Sequence, residues 1–142
     1  GVYRRLEWDG NVVVLRDIFD GQTYRCIVPS GYRGTKDELW YVRLLPPMSD
    51  DGDYGVVYTS PYVLHGAREA NWHAFLERQK KAFTQRGEEF DRRRFMKCGP
   101  ETDFWNEFIF QGYRGHSDNA IELTGIPDLP HTLPLAPAGN RD

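Results

Sequence analysis

Four histidines, His65, His73, His116 and His131, are the first residues to test for chemistry, because imidazole is a common metal ligand and titrates near neutrality. Zinc needs three or four ligands converging at roughly 2.0–2.3 Å, and HxH or HExxH spacings would bring two of them together at once. None of the four has such a spacing, so no metal site is assigned. His116-Ser117-Asp118 holds the residue types of a hydrolase triad, but triad members meet through tertiary geometry, and three consecutive residues do not form the relay. No GxSxG elbow supports the serine, and neither Cys26 nor Cys98 stands in a nucleophile signature, so no catalytic residue and no cofactor is assigned. Without CxxC spacing the two cysteines read as reduced, buried thiols, which fits the cytoplasm or another reducing intracellular compartment.

Binding chemistry has stronger candidates. Gly31-Tyr32-Arg33-Gly34 and Gly112-Tyr113-Arg114-Gly115 place a π face and a cation between glycines, a combination suited to stacking on bases or gripping a phosphate. The competing and favoured reading is that the tyrosines pin loops onto the fold. Arg92-Arg93-Arg94 and Lys97, with Lys80, Lys81 and Arg86, make the middle of the chain basic. Such a face neutralises nucleic-acid phosphates, or it pairs internally with Glu101, Asp103, Glu107 and Asp118 of the acidic last third, and the nearness in sequence favours pairing.

The elements that must hold these residues follow from pattern. The chain has 142 residues with 39% hydrophobic and 14% aromatic side chains, enough for one globular unit without a disulfide or metal staple. A formal net charge of −3 does not mark a general nucleic-acid binder, and no apolar run approaches a membrane span. The chain begins at Gly1 inside a strand-like stretch, which suggests a processed chain or an excised domain. Val2–Trp8, Val12–Phe19 and Gln22–Val28 are separated by Asp9-Gly10 and Asp20-Gly21, a strong hairpin signal. Leu39–Leu45, ended by Pro46-Pro47, is a fourth strand, and Tyr54–Ser60 a fifth after the acidic loop Ser49–Asp53. In the fourth, alternation sends Trp40, Val42 and Leu44 to one face and Leu39, Tyr41, Arg43 and Leu45 to the other, which helices are expected to cover.

Apolar spacing at Trp72, Phe75, Leu76, Gln79 and Phe83 predicts an amphipathic helix over Ala67–Arg86, extending toward Met96 if it passes Gly87. Thr102 is a candidate cap for a second helix with Phe104, Trp105, Phe108 and Ile109 on one stripe. Ala120–Leu123 is a short strand candidate, and Gly125–Asp142, with four prolines, is an extended tail whose Ile126, Leu129, Leu133 and Leu135 should lie against a surface. The fold class is therefore α+β: a five-stranded antiparallel small barrel or strongly curved meander over residues 1–66, a segment of two helices over 67–112 packed on it, and an extended Pro-rich C-terminal tail over 113–142.

Val13-Val14-Leu15-Arg16-Asp17 before an Asp-Gly turn, Tyr41-Val42-Arg43-Leu44-Leu45-Pro46-Pro47, and Gly55-Val56-Val57-Tyr58-Thr59-Ser60-Pro61-Tyr62-Val63-Leu64 before a helix occur in an order that resembles a bacterial family. That family is the small β-barrel region of uncharacterised proteins that often carry a SEC-C zinc motif. The resemblance runs over roughly Tyr3–Phe83 and implies the barrel; the SEC-C cysteines are absent here, so it implies no zinc. The leading expectation for function is a non-catalytic module acting through protein contacts, its partner being another protein or the remainder of a larger parent chain, with no membrane. The alternative is single-stranded nucleic-acid binding through Tyr32, Arg33, Arg92, Arg93, Arg94, Tyr113 and Arg114. A third is an enzyme whose residues converge from distant segments around His65 or His116.

Overall fold

Both Asp-Gly turns form, giving β1 (Val2–Asp9), β2 (Val12–Asp17) and β3 (Thr23–Ile27) as an antiparallel run in which Trp8 lies opposite Val13 and Val12 opposite Ile27. The register shifts between Arg5 and Trp8, a bulge that increases the local twist. The computed structural model describes residues 1–46, 54–58, 60–117 and 119–128. The acidic loop and the tail positions Leu129, Leu133 and Leu135 lie outside these.

Residues 39–45 do not form one uniform strand. They split into β4 (Leu39–Tyr41) and β5 (Leu44–Leu45); the fifth expected strand, Tyr54–Ser60, is met by β6 (Gly55–Val57), and β7 (Tyr62–His65) forms beyond Pro61, where no strand was expected. The two segments remain one long hairpin, with Leu39 opposite Leu64 and Leu44 opposite Val57, but its halves pair with different neighbours. β4 joins β1 antiparallel, whereas β6 joins β3 in parallel. A segment bonded to β1 at one end and to β6 at the other curls the sheet. Two further strands, β8 (Tyr113–Ser117) and β9 (Ala120–Thr124), complete the order β5-β6-β3-β2-β1-β4-β7-β9-β8. The fold is thus α+β with a curled, mixed sheet of nine strands and three helices among the described residues, in place of five antiparallel strands. The α+β class and the strong curvature hold, but the strand number and the all-antiparallel pairing do not, because a period-2 pattern reports which residues alternate but not where a strand changes partner.

Contacts divide the chain into two compact units, residues 1–64 with 114–122 and residues 65–113 with 123–142. In the first, Val13, Leu15, Cys26, Val28, Trp40, Val42, Val57, Val63 and Ala120 form the core, with Tyr3, Trp8, Tyr24, Tyr32 and Leu44 packed against it.

The second unit holds α1 (Glu69–Gln85), α2 (Arg92–Cys98) and α3 (Phe104–Gly112). The first helix does not run on to Met96. Gly87, with φ of +72°, closes it: the Glu88 N–H donates to the Phe83 carbonyl at 2.9 Å and the Gly87 N–H to Thr84 at 3.0 Å. Asp91 then caps α2, its carboxylate accepting from the Arg94 N–H at 3.2 Å. That reversal brings Phe90 onto Phe83 at 5.2 Å between ring centres. Phe95 sits at the middle of the aromatic cluster, within 6.1 Å of Phe75, Phe83, Phe90, Phe104 and Trp105. α3 is preceded by Asp103 rather than by Thr102, and Asp103 makes no side-chain cap bond. Ile126 is buried, and the Asp128 carboxylate accepts two hydrogen bonds from Arg78 on α1, both at 2.8 Å. The start of the tail is therefore anchored, as its apolar and charged side chains require. No helix among the described residues is long and apolar enough to cross a membrane.

Candidate functional site

The loop after β3 carries the first Gly-Tyr-Arg-Gly segment, and internal contacts engage both of its side chains. The Tyr32 hydroxyl donates to Glu38 Oε1 at 2.9 Å, the buried Trp40 indole donates to the same oxygen at 2.8 Å, and the two rings stand 5.6 Å apart. Burial, the hydrogen bond to Glu38 and the charges of Glu38 and Glu122 all hold the Tyr32 phenol above the usual tyrosine range. Arg33 lies 4.2 Å over the Trp8 ring, and its carbonyl accepts from Trp8 Nε1 and Arg5 Nε, each at 2.9 Å. Arg5 itself is buried, and desolvation pulls it below the usual guanidinium range against the opposing pull of Glu38. Ser30 ties the loop to the β8–β9 turn through a 3.1 Å bond to the Asn119 carbonyl. Tyr32 and Arg33 thus serve first to pin the loop.

The other residues singled out from the sequence divide between the units. Tyr32, Arg33 and Arg114 belong to the first, and Arg92, Arg93, Arg94 and Tyr113 to the second. Arg93, Arg94 and Lys97 are exposed on α2, Arg92 is half-buried, and Tyr113 and Arg114 are exposed at the start of β8. Among the described residues, Arg78 of α1 pairs with Asp128 of the C-terminal third, although neither is among the residues named above for such pairing. Among the cysteines, Cys26 is a core thiol that burial pushes up to about 11, but Cys98 is exposed, contrary to the expectation that both are buried. His116 is exposed, His65 half-buried, and His131 and Asp118 lie outside the described residues. A groove of about 650 Å³ in the second unit is lined by Glu101, Asp103, Glu107, Phe104, Phe108 and Pro127. Its carboxylates stand at the start of α3, where they complement the helix dipole.

A different surface is missing from the sequence reading. Pairing places Ile27, Val56 and Leu45 directly opposite one another across β3, β6 and β5, hence on one face. Their inward neighbours Cys26, Val28 and Val57 belong to the core and Leu44 packs against it, so this face points out. Ile27 is 40% and Leu45 37% exposed, and Val56 is half-buried between them. By the same register Tyr58 stands beside Arg43, whose carbonyl accepts the Tyr58 N–H at 2.9 Å, and Tyr54 stands beside Arg25, whose guanidinium lies 5.5 Å over the Tyr54 ring. Tyr54 is 38% and Tyr58 59% exposed. The outcome is an apolar row with a tyrosine and an arginine on either side. Along 39–45 the outward residues expected to be covered are covered at Leu39, which is buried, and open at Arg43 and Leu45. Alternation of Tyr54, Val56 and Tyr58 was the available signal; its meaning depends on the parallel pairing of β3 with β6, which joins residues far apart in sequence.

Comparison with known proteins adds no relative: no family model matches the chain, and no curated protein and no solved structure is significantly similar to it.

Proposed function

We propose that this chain is a non-catalytic interaction module that works through protein contacts made by the outward face of β3, β6 and β5. The observation that carries this reading is the solvent-facing row Leu45, Val56 and Ile27 between its Tyr/Arg flanks. Apolar area left in water gains roughly 25 cal/mol per Å² when a partner covers it, and tyrosine and arginine are the side chains most enriched where partners bind tightly. The partner is another protein or the remainder of a larger parent chain. Nucleic-acid binding has less support, since Tyr32 and Arg33 already hold their own loop; it rests mainly on the α2 arginines and on Tyr113 and Arg114.

Affinity capture tests the reading with the wild-type chain and the Leu45→Glu and Tyr58→Glu variants, both at exposed positions. A protein retained in near-stoichiometric amount by the wild type and lost from both variants is the expected result. Equal retention by all three removes this face from the reading. A low-salt electrophoretic shift of a single-stranded oligonucleotide, lost when Arg92, Arg93 and Arg94 become Glu, favours the nucleic-acid alternative.

A further inference from the structure

We infer that the segment this face receives is acidic: an apolar stretch of a partner protein with Asp or Glu beside its anchors. The inference rests on the interaction reading and adds the chemistry of the partner.

Neighbouring strands lie about 4.8 Å apart, so the row from Leu45 to Ile27 is about 10 Å long; alternate residues along a strand are about 6.7 Å apart, so the two flanking rows stand about 13 Å from one another. That spacing suits one peptide segment laid over the apolar row with a cation at each side. Arg43 is exposed and makes no ion pair among the described residues. Arg25 is half-exposed and has a carboxylate, Asp9, only at 3.8 Å, with the Asp9 side chain 83% exposed. A pair that loose contributes little and yields readily to a better-placed carboxylate. Both guanidiniums therefore retain their fork of donors for a partner's carboxylates, the groups whose geometry they match.

Backbone pairing is a poor alternative on this side of the sheet. The terminal strand β5 is two residues long and is followed by Pro46, which has no N–H to donate. Recognition must then run through side chains on the face, where the charges that the described residues place on the two flanking rows are Arg43 and Arg25, the latter with Asp9 loosely beside it.

A random-peptide display library panned on the folded chain, with counter-selection on the Leu45→Glu variant, tests this. Circular dichroism first establishes that each variant keeps its fold. The expected enrichment is of peptides with two or more apolar anchors and net negative charge, binding at least tenfold more weakly to Arg43→Gln. The Arg25→Glu/Arg43→Glu variant should reverse the selection and enrich basic peptides. Face-dependent enrichment of neutral or basic peptides by the wild type overturns the acidic partner and leaves the interaction reading standing. Absence of any enrichment that Leu45→Glu abolishes overturns both.

Discussion

Replacing Glu38 tests whether the first Gly-Tyr-Arg-Gly loop is structural. One carboxylate oxygen, Oε1, accepts from both the Tyr32 hydroxyl at 2.9 Å and the Trp40 indole at 2.8 Å. Trp40 is fully buried, so in Glu38→Ala its N–H has no water to turn to and costs about 2 kcal/mol, while the half-buried Tyr32 hydroxyl recovers part of its bond from solvent and costs about 1 kcal/mol. The expected loss is therefore about 3 kcal/mol in urea unfolding, followed by tryptophan emission and far-UV dichroism together so that coincident curves license a two-state reading. Glu38→Gln keeps an acceptor oxygen and should cost about half as much. A double-mutant cycle with Tyr32→Phe should give a coupling of about 1 kcal/mol. An independent readout is available in the tyrosine itself: removing the Glu38 charge should bring the Tyr32 phenol back toward the ordinary tyrosine range in an alkaline absorbance titration. If Glu38→Ala stays within about 0.5 kcal/mol of wild type, or Glu38→Gln is as damaging as Glu38→Ala, the loop is not held as argued and its tyrosine and arginine return to the list of ligand groups.

Phe95→Ala removes the ring shared by five aromatic neighbours and should cost about 3–5 kcal/mol, seen as a lowered urea midpoint. A thiol reagent at neutral pH should modify Cys98 at once and Cys26 only on unfolding. Because burial raises the Cys26 thiol from 9.0 to about 11, its neutral form supports the fold below pH 9, and that support is lost as pH rises through 11; Cys26→Ala should flatten this part of the stability profile. Asp128→Asn breaks a two-bond pair whose members are partly exposed, so its cost should stay at or below about 1 kcal/mol and shrink in high salt.

The parts of the fold readable from sequence are those fixed by neighbours in the chain. Asp9-Gly10 and Asp20-Gly21 turn the chain wherever the flanking strands go, and the spacing of Trp72, Phe75 and Phe83 specifies an amphipathic helix without reference to anything else. Phe90 was harder: its distance from Phe83 fits a continued helix, yet the left-handed Gly87 reverses the chain and still brings the two rings together. β8 escaped notice because Tyr113-Arg114-Gly115-His116-Ser117 has no apolar alternation, so pairing within the sheet, not local preference, makes it a strand. The candidate face escaped for the same reason on a larger scale. Each of its residues is visible in the sequence, but their assembly depends on β3 meeting β6 in parallel, with Cys26 opposite Gly55.

That register is not set by apolar content alone. A one-residue slip of β5 and β6 would turn Leu45 and Val56 inward and Leu44 and Val57 outward, exchanging two apolar residues for two others. Gly55 breaks the tie. A Cβ there would come within 2.7 Å of the Leu45 carbonyl oxygen, so the observed pairing needs glycine at this point of close approach, and any other residue brought to it by a slip would collide with backbone. The same residue that holds β6 against β5 therefore also fixes which side chains face water. An apolar row held outward in this way favours aggregation unless charged side chains interrupt it. Arg25 and Arg43 meet that need in the free chain, and in the proposed complex the same two cations would select the sign of what arrives.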